Sequence, residues 1–323
     1  MIRYGIAGAG NIAHKFANEI SVVKDAKLMG IASRSLARAE AFKTQHSLPL
    51  AFEGYEKMAT SPDIDVVYIA TPHSSHAKLI ELFMRQGKHV ICEKPITVNA
   101  EELSHIIELQ KTEKVALMEA MWTRFLPVTK DFLKRVKANE FGAFKSGKMA
   151  FGYALIDDYD ANRRLLNPRL AGGSLLDIGV YPVHFALNFL DLNNYRFEAT
   201  ANWTSTNVDA TCEMIGYNNE NDIVLSMTSS IEKECSQEAT FMFENATVVI
   251  PDFSRATHYF INDEKITLPF KKDGFVHEIE AFNDVVKNNQ LEHPLLPLKQ
   301  SLASMEFMDH IRALIGLNYQ EHR

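Results

Sequence analysis

Arg3-Tyr4-Gly5-Ile6-Ala7-Gly8-Ala9-Gly10-Asn11-Ile12-Ala13 decides the fold of this chain. Arg3 to Ala7 reads as a strand, Asn11 to Val23 reads as a helix, and Gly8-x-Gly10-x-x-Ala13 joins them. The first glycine permits the tight turn. The second lets backbone approach a pyrophosphate, and the small Ala13 lets the helix pack on the strand. The phosphates would rest on the helix N-terminus, where free N–H groups and the helix dipole favour anions. The motif is short, but an N-terminal strand before it and βαβ spacing behind it are the context it requires. Gly8, Gly10, Asn11 and Ile12 are therefore predicted to cradle a dinucleotide.

Working outward, strand and helix signals alternate through the first third of the chain, which predicts βαβ units around a parallel sheet. Lys27 to Ala32, Asp65 to Ala70, His89 to Cys92 and Val115 to Glu119 read as strands. Leu36 to His46 and His76 to Gln86 read as helices, and Asn99 with Glu102 resembles a capping box opening a further helix to Lys111. The pattern changes near Met121. A helix follows Pro127, Phe144 to Ala154 alternates like a strand, and a charged loop from Ile156 to Gly173 precedes a helix from near Leu175. Phe197 to Thr267 reads as meandering antiparallel strands, and two amphipathic helices close the chain. The expected organisation is a Rossmann domain over residues 1–122, with a doubly wound parallel sheet. An α+β domain on a large, open, mostly antiparallel sheet follows over 123–323.

Bulk properties narrow the function classes. At 323 residues and 46% hydrophobic content the chain can bury more than one core. A net charge of -7 excludes a general nucleic-acid binder, which would show a basic stripe. No membrane span and no secretory leader are expected. Cys92, Cys212 and Cys235 are odd in number and form no C-x-x-C, so inert thiols in a reducing cytoplasm are expected, and no metal site.

The second strand ends in Ala32-Ser33-Arg34-Ser35, with Arg38 a helical turn further. An NAD site usually places a carboxylate here to accept from the ribose 2′-hydroxyl. A hydroxyl and a guanidinium suit a 2′-phosphate instead, so Ser33, Arg34 and Arg38 favour NADP over NAD. Glu93-Lys94-Pro95 follows the carboxyl end of a strand, the edge at which open α/β sheets bind ligands. Lys94 could donate to a substrate hydroxyl and lower the pKa of a neighbouring acid–base group, or be an ordinary loop lysine. Farther on, Gly172-Gly173-Ser174-Leu175-Leu176-Asp177-Ile178-Gly179-Val180-Tyr181-Pro182-Val183-His184 places Asp177, Tyr181 and His184 on one face of an α-helix. His184 reads equally as catalytic or as a buried structural histidine.

Taken together, Gly8-x-Gly10-x-x-Ala13, Glu93-Lys94-Pro95 and the Gly-Gly-Ser-Leu-Leu-Asp-Ile-Gly-x-Tyr run resemble the Gfo/Idh/MocA oxidoreductases over essentially the whole chain. Met118-Glu119-Ala120-Met121-Trp122-Thr123-Arg124-Phe125 is similar to their dihydrodiol dehydrogenase and NADP-linked D-xylose dehydrogenase branch. The resemblance implies that Tyr181 is the acid–base residue, that Lys94 belongs to the catalytic group, and that Asp177 positions the substrate or the acid–base pair. It implies that Trp122 and Phe151 line the active site. It places Thr71, Pro72, His73 and His76 on the loop beneath the cofactor, with Glu93 and Arg124 among the cofactor contacts. It also implies a homodimer through the open sheet. The Ile156–Leu170 loop resembles the family least clearly.

The expected reaction is hydride transfer between nicotinamide and a carbinol carbon of a sugar or trans-dihydrodiol, with Tyr181 exchanging the hydroxyl proton and Lys94 stabilising the oxygen. The alternatives are a non-catalytic NADP-sensing regulator of the same fold and, among enzymes, a keto-sugar reductase.

Overall fold

The structure is a computed structural model and describes residues 1–156, 163–220 and 222–319. The chain divides into two compact units. The first comprises Met1–Trp122 with Lys271–Leu302, and the second comprises Thr123–Phe270 with the chain from Ala303 onward.

In the first unit β1 (Ile2–Ala7), α1 (Asn11–Ile20), β2 (Ala26–Ser33), α2 (Leu36–His46), β3 (Leu50–Glu53), α3 (Tyr55–Ala59) and β4 (Val66–Ile69) follow in order. After them come α4 (His76–Arg85), β5 (His89–Glu93), α5 (Ala100–Glu113) and β6 (Leu117–Ala120). The six strands lie in the order β3-β2-β1-β4-β5-β6 and are parallel throughout. All four residues of β4 are buried, as a strand covered on both faces requires. The sheet reverses its winding between β1 and β4, where ligands of such sheets bind. The capping box forms with one change: the Asn99 side chain accepts from Glu102 N at 2.8 Å, while Glu102 accepts from Val98 N rather than Asn99 N.

The second unit contains α6 (Pro127–Lys137), β7 (Phe144–Gly152), and a π-helical turn at Leu175–Gly179 that continues as α7 (Val180–Leu187). β8 (Arg196–Trp203), β9 (Asp209–Tyr217), β10 (Ile223–Ser230), β11 (Ala239–Phe243), β12 (Thr247–Ile250), β13 (His258–Ile261) and β14 (Glu264–Thr267) complete it. Their order is β14-β13-β12-β11-β7-β10-β9-β8. Among the described residues of this unit only β7 and β10 pair in parallel. Phe132 of α6, Phe185 of α7 and Phe241 of β11 pack with centroids 5.5–5.8 Å apart and fasten both helices to one sheet face. The alternation of buried Phe241 with exposed Met242 leaves the other face outward. Pro168–Leu187 is long and apolar enough to cross a membrane by composition, yet most of it is buried in this core, with Leu175, Leu176, Val180 and Val183 fully covered.

The chain then enters α8 (Phe275–Lys287) and α9 (Leu298–Ile315). Although the sequence alone assigns residues 271–302 to the second domain, they pack with the first unit. Glu19 of α1 accepts from Val276 N at 3.4 Å at the head of α8, Tyr4 of β1 donates to Asn283 Oδ1 at 2.7 Å, and Lys287 pairs with Asp25.

Candidate active site

The glycine loop has the form the sequence predicts. Gly8 adopts φ +106°, and a Cβ there would lie 2.6 Å from the Ala70 carbonyl oxygen, so only glycine fits between β1 and β4. At Gly10 a Cβ would meet only that same oxygen at 4.0 Å, leaving open space at the head of α1. Among the described residues no side chain caps α1. Its first N–H groups are thus available to an anion, and the cradle fits a pyrophosphate. Asn11 is exposed, Ile12 half-buried and Ala13 fully buried.

Arg38 donates to the Ala9 carbonyl at 3.0 Å and so lies beside this loop. Ser33 is buried at the end of β2, its hydroxyl 3.4 Å from Ser35 N, and Arg34 is exposed beside it. Tyr55, at the head of α3, was not singled out from sequence. Burial raises its phenol pKa, while the charges of Arg34 and Arg38 oppose that rise, which places the phenol near both guanidiniums.

Thr71 and Pro72 extend from the end of β4, and His73 is buried in the short turn that follows. His76 is fully buried, with Nδ1 2.9 Å from the Pro95 carbonyl and Nε2 2.9 Å from the Thr71 carbonyl. Its ring therefore ties the loop after β4 to Glu93-Lys94-Pro95, the turn after β5. The Lys94–Pro95 peptide is cis. Glu93 turns inward and accepts the Tyr68 hydroxyl, leaving half-buried Lys94 as the motif's cation. Behind it, Glu278 of α8 is fully buried, and burial, reinforced by the Glu93 charge, holds its carboxyl well above the usual carboxylate range. Trp122 stacks on Phe275 at 5.1 Å and 11°, which fixes its ring plane. Burial pushes Arg124 down to about 10, so it remains a cation at neutral pH.

In the second unit the expected helix of Asp177 and Tyr181 opens as a π turn instead of an α turn. Here the α-helical face rule no longer fixes how Asp177 projects. Asp177 is buried and accepts from Arg164 at 2.7 Å. Arg164 lies in the loop before the motif, where no sequence pattern marked it; residues 157–162 of the Ile156–Leu170 loop lie outside the described residues. Tyr181 meets Phe151 of β7 edge-on at 5.0 Å. The structure thus brings together Phe151 and Tyr181, and holds Asp177 on an arginine. His184 is buried on α7. The three cysteines are free; Cys92 and Cys212 are buried and Cys235 half-buried, and burial raises each thiol pKa.

A strand-order reversal with a glycine cradle beside it defines a dinucleotide-binding unit. Residues 2–121 match the model of the GFO_IDH_MocA oxidoreductase family with an NAD-binding Rossmann fold. The scyllo-inositol 2-dehydrogenase (NADP(+)) IolU of Bacillus subtilis (strain 168) is 33% identical over 330 residues, covering 99% of this chain and 98% of that protein. A trans-1,2-dihydrobenzene-1,2-diol dehydrogenase of Danio rerio is 29% identical over 338 residues, covering 99% and 98%. Among solved structures, the NADP and TDP-benzene complex of KijD10, a 3-ketoreductase from Actinomadura kijaniata, has the same fold, with a TM-score of 0.84 at 24% identity over 97% of this chain and 98% of that one. The chain belongs to the Gfo/Idh/MocA oxidoreductase family.

Proposed function

We propose that this oxidoreductase uses NADP to oxidise, or NADPH to regenerate, a secondary alcohol on a ring that carries an adjacent hydroxyl, as in a cyclic polyol or a trans-dihydrodiol. The observation that carries the cofactor choice is Ser33-Arg34 at the end of β2, with Arg38 beside the glycine loop. A guanidinium there attracts a 2′-phosphate, whereas NAD recognition calls for a carboxylate. The substrate class follows from relatives that are named for scyllo-inositol and for trans-1,2-dihydrobenzene-1,2-diol, both ring alcohols with a neighbouring hydroxyl.

The bound dinucleotide supplies a nicotinamide carbon that accepts or gives the hydride. In oxidation Tyr181 would take the hydroxyl proton as the phenolate and become the neutral phenol, and the Lys94 ammonium would stabilise the negative oxygen that develops. Asp177, held by Arg164, accepts from the adjacent hydroxyl. Trp122 and Phe151 supply apolar walls. Thr71, Pro72, His73, His76, Glu93 and Arg124 shape the nicotinamide end of the cofactor site.

A panel of scyllo-inositol, myo-inositol, trans-cyclohexane-1,2-diol, D-xylose and D-glucose with NADP+ and with NAD+ tests this reading. Turnover of the ring diols with at least a ten-fold preference for NADP+ is expected. Preference for NAD+ refutes the Arg34 reading, and D-xylose as the best substrate moves the chain to the xylose dehydrogenase branch. Tight NADPH binding with no turnover of any alcohol points to a sensor.

We also propose a homodimer through the outward sheet face, where Met242 is 52% exposed. Light scattering should give twice the 36.5 kDa chain mass, and Met242→Glu should give the single mass. The three free cysteines fit a reducing cytoplasm.

A further inference from the structure

We propose that Asp209 is a positioning residue for the reaction: its buried carboxylate fixes the head of the π-helical turn that carries Asp177 and leads into Tyr181. This rests on the reading of those two residues given above.

Asp209 opens β9 and is fully buried. Its Oδ2 accepts from Leu175 N at 2.6 Å and from Ser174 Oγ at 2.7 Å, reaching across more than thirty residues of sequence. Ser174 Oγ also lies 3.0 Å from Ser229 Oγ and 3.3 Å from the Ser229 carbonyl on β10. Two fully buried polar side chains, Asp209 of β9 and Ser229 of β10, thus converge on the hydroxyl of Ser174, itself fully buried in the turn. Asp209 Oδ1 lies against Gly173, whose φ is +109°, and a Cβ there would overlap that oxygen. The Tyr319 hydroxyl grips the same turn from the C-terminal tail by donating to the Gly172 carbonyl. Gly172-Gly173-Ser174 is therefore held on both sides immediately before the chemistry-bearing residues.

The identity of the cap also matters. An N-terminal cap needs only an acceptor, and asparagine or serine would serve. Asp209 makes no ion pair among the described residues, and burial pushes its carboxyl up to about 6. A charge kept at that cost makes shorter and stronger bonds to the Leu175 N–H and Ser174 O–H than a neutral acceptor does. A single π turn inside a helix is rare and is found frequently at functional sites, and here the anchor at its head is this carboxylate.

The test compares the native chain with Asp209→Asn and Asp209→Ala, with NADP+ and the best alcohol of the panel above. It reads kcat, KM, NADPH affinity by fluorescence, and hydrogen exchange. Asp209→Asn carries the result if the alanine variant fails to fold. Asp209→Asn should bind NADPH within two-fold of native and keep KM within about three-fold, while kcat falls at least ten-fold. Amides 175–181 should exchange at least ten-fold faster, with β8 to β12 unchanged. A kcat within two-fold of native overturns the proposal. So does a kcat loss accompanied by faster exchange across the whole second sheet, which marks general loosening. Should the native chain turn over no alcohol, the functional reading fails by itself. Exchange then decides the inference: quickening confined to 175–181 supports it, and none overturns it.

Discussion

The head of α1 and the head of the π turn face the same electrostatic problem and answer it in opposite ways. Each presents unpaired N–H groups and the positive end of a helix dipole. At α1 the cap position is Gly10, no side chain among the described residues caps the helix, and a Cβ at Gly10 would meet only the Ala70 carbonyl at 4.0 Å. At Leu175 the chain provides its own anion, Asp209, fully buried and bonded at 2.6 Å. One helix head has glycine at its cap, and the other is capped from within the fold by a carboxylate. The first unit leaves its cap position to backbone alone, whereas the second commits a desolvated carboxylate to rigidity.

The strongest way to break that contrast is to remove the chemistry while sparing the cradle. Lys94→Met and Tyr181→Phe should each lower kcat by roughly two or more orders of magnitude. NADPH fluorescence titration should show unchanged affinity; near-native turnover in either variant removes that residue from the reaction. Next in size is a variant that gives α1 an internal cap. Gly10→Asp places a carboxylate where the pyrophosphate belongs. NADPH affinity should fall about a hundred-fold, while thermal stability holds or rises by up to ~1 kcal/mol. Retained affinity would mean that the phosphates bind elsewhere. Arg34→Ala should raise KM for NADP+ about ten-fold and leave KM for NAD+ unchanged, a difference measured by steady-state rates at fixed alcohol.

The smallest change in turnover or binding is expected where the effect is on stability alone. The Asp209 carboxyl is raised from 3.8 to about 6 in the folded chain. The folded state therefore binds a proton more tightly than the unfolded one. The stability associated with that proton is present in full below about pH 4 and is lost as pH rises through about 6. By pH 7 the loss is on the order of 3 kcal/mol, from a shift of roughly two units. Asp209→Asn should accordingly melt no lower than native at pH 7, and its melting temperature should vary less between pH 4 and 7. A variant that melts much lower at pH 7 would show that the charge stabilises the fold outright.

The two regions also differ in how much of them could be read from sequence. Five strands of the parallel sheet and the glycine loop were legible because their signals are local: buried runs such as Val66–Ile69 and glycines at fixed offsets. β3 was missed because it is a four-residue edge strand with no fully buried position, and only its pairing with β2 defines it. The lysine and phenol were legible as motif members and Phe151 was named from the resemblance, but the contact of Phe151 with Tyr181 comes from the structure. Arg164 and Asp209 were not legible. Each acts across a loop or sheet, and a lone arginine or a strand-opening aspartate has no local pattern. The π turn escaped as well, since five residues are too few to distinguish its pitch from an α-helix. Helix α8 was foreseen as a helix, but amphipathicity says only that a face is covered, not which sheet covers it.

The return of residues 271–302 to the first unit bears on how this protein can be cut and recombined. A fragment ending at Trp122 would keep every strand of the parallel sheet and the whole glycine loop. It would still strip Phe275 from the Trp122 ring, the amide of Val276 from Glu19 and Asn283 from the Tyr4 hydroxyl. Those losses expose an indole and strand two formerly buried polar groups. A chimera that borrows this nucleotide-binding half must therefore import two separate stretches of chain, and a graft of the other half has to supply residues 123–270 as an insert together with the stretch from Ala303 onward.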